Sequence, residues 1–137
     1  MGRRILVVDD EAELRAFVAR AFRDRGHEVV ELGDGMAGLE VVRATSVPFH
    51  LVITNSRNPR LAGPQLVDRL LEMDPTLPVI YISASPSTRH EHPTGENPTL
   101  FKPFNIWSLI DEAEKLMQGP VSQEWKLGHR RKDSGDR

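Results

Sequence analysis

Arg4-Ile5-Leu6-Val7-Val8-Asp9-Asp10-Glu11 is the stretch that decides how this chain is read. Its four apolar residues, three of them β-branched, run straight into three acids. The run is far short of the roughly 20 residues that span a bilayer. It reads as a strand covered on both faces, the kind found in parallel sheets. The acids then stand at the carboxyl end of that strand, the edge where open parallel sheets bind their ligands.

Downstream, Leu14, Phe17, Val18, Ala21 and Phe22 fall at i, i+3, i+4, i+7 and i+8, which predicts a helix with those residues inward. Gly26 stands where a helix C′ residue belongs. The pattern repeats with a strand over 28–32, the Gly33-Asp34-Gly35 turn, and a helix over 36–44 that carries Leu39 and Val42 inward. A third strand over 50–54 leads into a loop, 55–63, and Pro64 suits the first turn of the next helix. Leu66, Val67, Leu70 and Leu71 give that helix its stripe, and residues 79–83 read as the fourth strand.

From 84 to 98 the apolar period is lost, and Pro86, Pro93, Gly95 and Pro98 predict a loop. A short strand over 99–102 follows, then a helix with Ile106, Leu109, Ile110, Ala113 and Met117 on one face and Trp107 expected to pack at its start. Strands alternating with helices imply right-handed crossovers, so the fold class is α/β, a doubly wound five-stranded parallel sheet.

The 137 residues suit one domain, 1–118, followed by a polar tail, 119–137, that reads as mobile. The tail holds five basic and three acidic residues, so the formal charge of −2 leaves −4 on the first 118. An acidic body argues against nucleic acid as a partner, because binding requires a basic face that displaces counterions from phosphates. Cysteine is absent, which excludes disulfides and thiolate metal sites. The expectation is a soluble cytoplasmic protein with no membrane partner.

Reading the strand ends in order brings Asp9 and Asp10, Asn55, Ser83 and Lys102 to one edge. Each has an ordinary reading when taken alone. Asp9-Asp10 suits a helix cap, Ser83 a strand-end hydroxyl, and Lys102-Pro103 an unremarkable strand end. Arg57 and Arg60 read as solvated loop charges, and His90-Glu91-His92 as exposed residues rather than a metal site.

Taken together, these residues resemble the receiver domains of two-component signalling. Ile5-Leu6-Val7-Val8-Asp9-Asp10-Glu11 resembles their first strand and acidic pair, and Leu51-Val52-Ile53-Thr54-Asn55 resembles the strand ending at their phosphoacceptor. Pro59, Gly63, Ser83-Ala84 and Lys102-Pro103-Phe104 match the remaining landmarks, over roughly residues 3 to 118. The resemblance implies a flavodoxin-like sheet in the order 2-1-3-4-5. It implies that Asp9, Asp10, Asn55 and the backbone carbonyl of Arg57 surround a Mg²⁺ site, that Ser83 hydrogen-bonds a phosphoryl oxygen, and that Lys102 pairs with it.

The chain departs from the pattern at Asn55, where receivers carry the accepting aspartate. An amide is a very poor nucleophile, so ordinary phosphorylation should fail and the Mg²⁺ site should be weak. The proline-broken 84–98 segment and Thr99, which stands where many receivers place a switching aromatic, alter the usual output face. The expected function is a signalling module and not an enzyme, contacting a histidine kinase or downstream effector through its first or last helix. The alternative is a flavodoxin-like flavin or small-ligand binder. That protein would need a hydroxyl- or glycine-rich phosphate loop where Asp9-Asp10-Glu11 stands.

Overall fold

A computed structural model describes residues 2–84 and 97–118; residue 1 and residues 85–96 and 119–137 lie outside the described residues. The expected loop over 84–98, apart from its ends, and the expected mobile tail both fall there. Among the described residues the chain alternates β1 (Arg4–Val8), α1 (Ala12–Arg23), β2 (Glu28–Leu32), α2 (Gly35–Ala44), β3 (Leu51–Asn55), α3 (Gly63–Met73) and β4 (Val79–Ser83), then β5 (Thr99–Phe101) and α4 (Ile106–Gln118). All four strand pairings are parallel, and the order is β2-β1-β3-β4-β5.

Period-two alternation divides the apolar runs between two cores. Ile5, Val7, Ile53, Ile80 and Ile82 face α1 and α4, which contribute Val18, Ala19, Phe22, Leu109, Ala113 and Met117. Leu6, Val8, Val52, Val79 and Tyr81 face α2 and α3, which contribute Leu39, Leu66, Val67 and Leu70. Each fully buried Leu or Ile contributes roughly 1.5–3 kcal/mol, which is why β1, buried on both faces, contains nothing polar after Arg4.

Two expectations about packing are corrected. Phe17 is 54% exposed, and Ala19 occupies the inward face of α1 in its place. With Val18, Ala19 and Phe22 packed in the core, the buried face of α1 is turned so that Phe17 lies outside it. Trp107 is 66% exposed. Its backbone N–H donates to Asn105 Oδ1 at 2.7 Å, so Asn105 caps the first turn. Ile106, Leu109 and Ile110 then pack against the core, and the indole faces away from it.

Gly26 has φ of +90°, and the amides of Gly26 and His27 donate back to Arg23 O and Phe22 O. This is the left-handed helix end its position predicted. Strand β3 ends one residue later than the sequence suggests, so Asn55 belongs to the sheet and stands opposite Ile82 of β4.

Candidate functional site

The parallel registers bring the carboxyl ends of β1, β3, β4 and β5 to one edge. A cavity of about 340 Å³ opens there, lined by Asp10, Glu11, Asn55, Ser56, Arg57, Ala84 and Lys102. Asp9 lies just beneath it, 2% exposed. It does not cap α1. The helix begins at Ala12 with no side-chain cap bond, and Asp9 Oδ1 instead accepts the Glu11 N–H at 2.9 Å. Asp9 Oδ2 is buried with no hydrogen-bond partner. Burial raises this carboxyl above its ordinary pKa, and the Glu11 N–H and the Lys102 charge only partly reverse that.

Lys102 follows β5 directly and is fixed by its own amide, which donates to Ser83 O at 2.8 Å. Its ammonium lies 3.7 Å from Asp9 Oδ2 and also pairs with Glu11 Oε1. The Lys102–Pro103 peptide that leads toward α4 is cis.

Asn55 is 7% exposed. Its Nδ2 donates to Asp10 Oδ1 at 3.2 Å, and its Oδ1 receives the Arg57 N–H at 3.5 Å. Its backbone carbonyl accepts from Thr54 Oγ1 and Asn58 Nδ2, and Asn58 Nδ2 also donates to Thr54 Oγ1 at 2.7 Å. The buried Asn58 therefore holds the end of β3 and the turn after it as one unit.

Asp10, Asn55, Arg57 and Lys102 thus meet at one cavity, with Asp9 below it. Ser83 is 2% exposed, and its Oγ accepts from Ser56 Oγ at 3.3 Å, while the next residue, Ala84, forms the wall. Sequence reasoning gave no role to Glu11, Ser56 or Asn58. Glu11 was legible as the third acid of the opening run, whereas Ser56 meets Ser83 only across the fold and Asn58 meets Thr54 and Asn55 only through the geometry of the turn after β3. Arg60, read as a solvated charge, has φ of 68°, and its Nη2 donates to both carboxylate oxygens of Asp34, the N-cap of α2.

An acidic pair beside an ammonium at the carboxyl edge of a 2-1-3-4-5 sheet is the arrangement of a receiver, here with the Asn55 amide at the end of β3. The model of the response regulator receiver domain matches residues 5–114, and the chain belongs to that family, a receiver of two-component signalling. It is similar to the response regulator receiver protein CpdR of Brucella abortus (strain 2308), 29% identical over 119 residues that cover 84% of this chain and 97% of that protein. Among solved structures it is similar to the receiver domain of the hybrid histidine kinase CckA, with 33% identity, a TM-score of 0.71, and coverage of 84% of this chain and 99% of that one. A receiver protein from Sinorhizobium medicae WSM419 superposes with a TM-score of 0.78 at 26% identity, covering 86% and 96%. Other curated relatives are longer, and the chain spans 49% of one transcriptional regulatory protein and 12% of a sensor kinase. The flavin-binding alternative is not favoured, since these relatives are signalling proteins.

Proposed function

We propose that the cavity is a phosphoryl site with Asn55 at the acceptor position, and that the chain in this form signals by protein contact without taking up phosphate. The observation that carries this reading is the buried Asn55 amide, which ends β3 with its Nδ2 on Asp10. A carboxylate there would attack phosphorus to give an acyl phosphate; the amide nitrogen lone pair is delocalised and its oxygen is neutral. Lys102 lines the cavity and would meet phosphoryl oxygens if a carboxylate were restored, whereas the buried Ser83 hydroxyl would have to turn from Ser56 to do so.

Magnesium fits the donor set. Asp9 Oδ2 is a buried oxygen without a hydrogen bond, and Asp10 and the backbone carbonyl of Arg57, both residues of the cavity lining, would supply further hard oxygens. When bound, the ion would neutralise charge on a phosphoryl group. Asn55 adds a neutral oxygen in place of a third carboxylate, and among the described residues no group of three or more His, Cys, Asp or Glu side chains is placed to hold a metal. The site is therefore a weak one.

A histidine kinase or downstream effector is the partner this reading assigns. The neighbouring helices α1 and α4 present the exposed aromatics Phe17 and Trp107, side chains enriched at protein interfaces. A cytoplasmic address belongs to the same proposal. Among the described residues no helix is long and apolar enough to cross a membrane.

The test is to incubate the native chain and Asn55→Asp with acetyl phosphate and Mg²⁺ and to read intact masses. The native chain should gain nothing and the variant one phosphoryl group. Mass spectrometry must also exclude deamidation at Asn55-Ser56, which would create the variant in aged samples. Uptake by intact native protein, or none by a folded Asn55→Asp variant, would overturn the reading.

A further inference from the structure

Arg15 interrupts the apolar stripe of α1. It stands one turn before Ala19 and two turns before Phe22, both fully buried against the sheet, so it shares their inward face. An arginine is rarely tolerated there unless its charge and donors are satisfied. Its side chain is 22% exposed, and every contact it makes is at the carboxyl end of the strands. Nη1 donates to the backbone carbonyl of Asp9 at 2.6 Å, and the buried Nε faces Glu31 Oε1 of β2 at 3.5 Å. Gly33, just after β2, leaves the guanidinium its room, since a Cβ built there would lie 3.3 Å from Nη1.

The bond to Asp9 falls on the peptide that joins Asp9 to Asp10. The Asp9 N–H donates to Leu32 O at 3.0 Å, and Arg15 takes the carbonyl, so the end of β1 is held on both sides. Because a peptide unit is planar, its orientation helps set where the side chains on either side of it point. Here one carboxylate lies beneath the cavity and the next lines it. A simple tie between α1 and β2 would not need Arg15. Arg23, two turns further along α1, already pairs with Glu31 Oε2 and donates to Val29 O, both at 2.8 Å.

We propose that Arg15 is a positioning residue for the acidic pair, holding the Asp9–Asp10 peptide so that both carboxylates are set for a divalent cation before it arrives. The inference rests on the reading of the cavity as a phosphoryl site that takes Mg²⁺. That ion demands near-octahedral oxygen geometry, so a small rotation of the peptide costs affinity. Groups that orient metal ligands from outside the coordination sphere act in this way.

The test compares Arg15→Met with Arg23→Met in the full chain. Both remove a partner of Glu31, and only the first removes the bond to Asp9. In metal-free native protein, the NMR signals of the Asp9 carbonyl carbon and the Asp10 amide should move in Arg15→Met and hold in Arg23→Met. Signals around Phe49, two residues before β3 at the opposite edge of the sheet, should hold in both. With Asn55→Asp as the parent, Mg²⁺ titration should show roughly tenfold weaker binding for Arg15→Met and a change within about twofold for Arg23→Met. Unmoved Asp9 and Asp10 signals in Arg15→Met, undiminished Mg²⁺ affinity in that folded variant, or equal losses in the two variants would overturn the proposal. An Asn55→Asp parent that bound no Mg²⁺ would instead overturn the reading of the cavity, and the metal-free spectra would still decide whether Arg15 sets the Asp9–Asp10 peptide.

Discussion

The Asn55 amide donates to Asp10 Oδ1 at 3.2 Å, so the position where a receiver places a third negative charge instead holds a hydrogen-bond donor to one of the other two. A repulsive cluster has become partly self-satisfied. Below it, Asp9 keeps a carboxyl that burial disfavours as an anion, with Lys102 as its counter-charge.

Asn55→Asp should therefore be less stable than the native chain in metal-free buffer. It loses that hydrogen bond and sets a carboxylate beside Asp10, a repulsion on the order of 4 kcal/mol at 4 Å and an effective dielectric near 20. Solvent at the exposed Asp10 reduces this to a net cost of about 1–2 kcal/mol. Thermal melts with and without Mg²⁺ check it: the ion should raise the melting temperature of the variant clearly more than that of the native chain.

Asp34 accepts the Ala37 N–H at 2.7 Å as the N-cap of α2, and both of its oxygens also accept from Arg60 Nη2. Those bonds, the Ala37 N–H first, hold its pKa below the ordinary aspartate value. A depressed folded-state pKa gives stability that is present above the unfolded value and lost as pH falls through the folded one. Asp34→Ala should cost about 1 kcal/mol at neutral pH. In urea titrations the gap to the native chain should close as pH falls below the ordinary aspartate range.

Gly63 opens α3 against the end of β3. A Cβ built there would lie 2.5 Å from the Asn55 carbonyl oxygen and 3.0 Å from Ser56 Cα, both backbone atoms that cannot swing aside. Gly63→Ala should cost about 1–3 kcal/mol by overpacking. Because the strain falls on Asn55 and Ser56, NMR chemical shifts should move most at the cavity and little around Phe49. Uniform small shifts with no loss of stability would contradict this account.

Glu114 ties α4 to the turn between α1 and β2 through two hydrogen bonds from Arg25, at 2.6 and 2.7 Å, with His27 beside it. Arg25 is the main cause of its lowered pKa, so the sign is the same as for Asp34. Glu114→Gln should lower the melting temperature at neutral pH, with the difference shrinking as acid protonates the native carboxylate. A difference that stayed constant down to pH 3 would mean that packing, not charge, is what the side chain contributes.

Much of this protein was legible in its residues. The two-sided apolar runs, the inward stripes and Gly26 specify alternating strands and helices, because burial and left-handed backbone are demands that single residues meet or fail. The order of landmarks brought Asp9, Asp10, Asn55, Ser83 and Lys102 to one edge, because in a parallel sheet every strand ends on the same side. What each group does there was decided only by tertiary contact. Whether Lys102 pairs with Asp9 or Glu11, that Ser83 meets Ser56, and that Asn58 clamps Asn55 depend on side chains distant in sequence or held in one turn geometry. The exposure of Phe17 and Trp107 belongs to the same class. A helical period states which residues share a face, but the rotation of that face against the sheet is set by which side chains, here Val18, Ala19 and Phe22, fill the core with those of the strands.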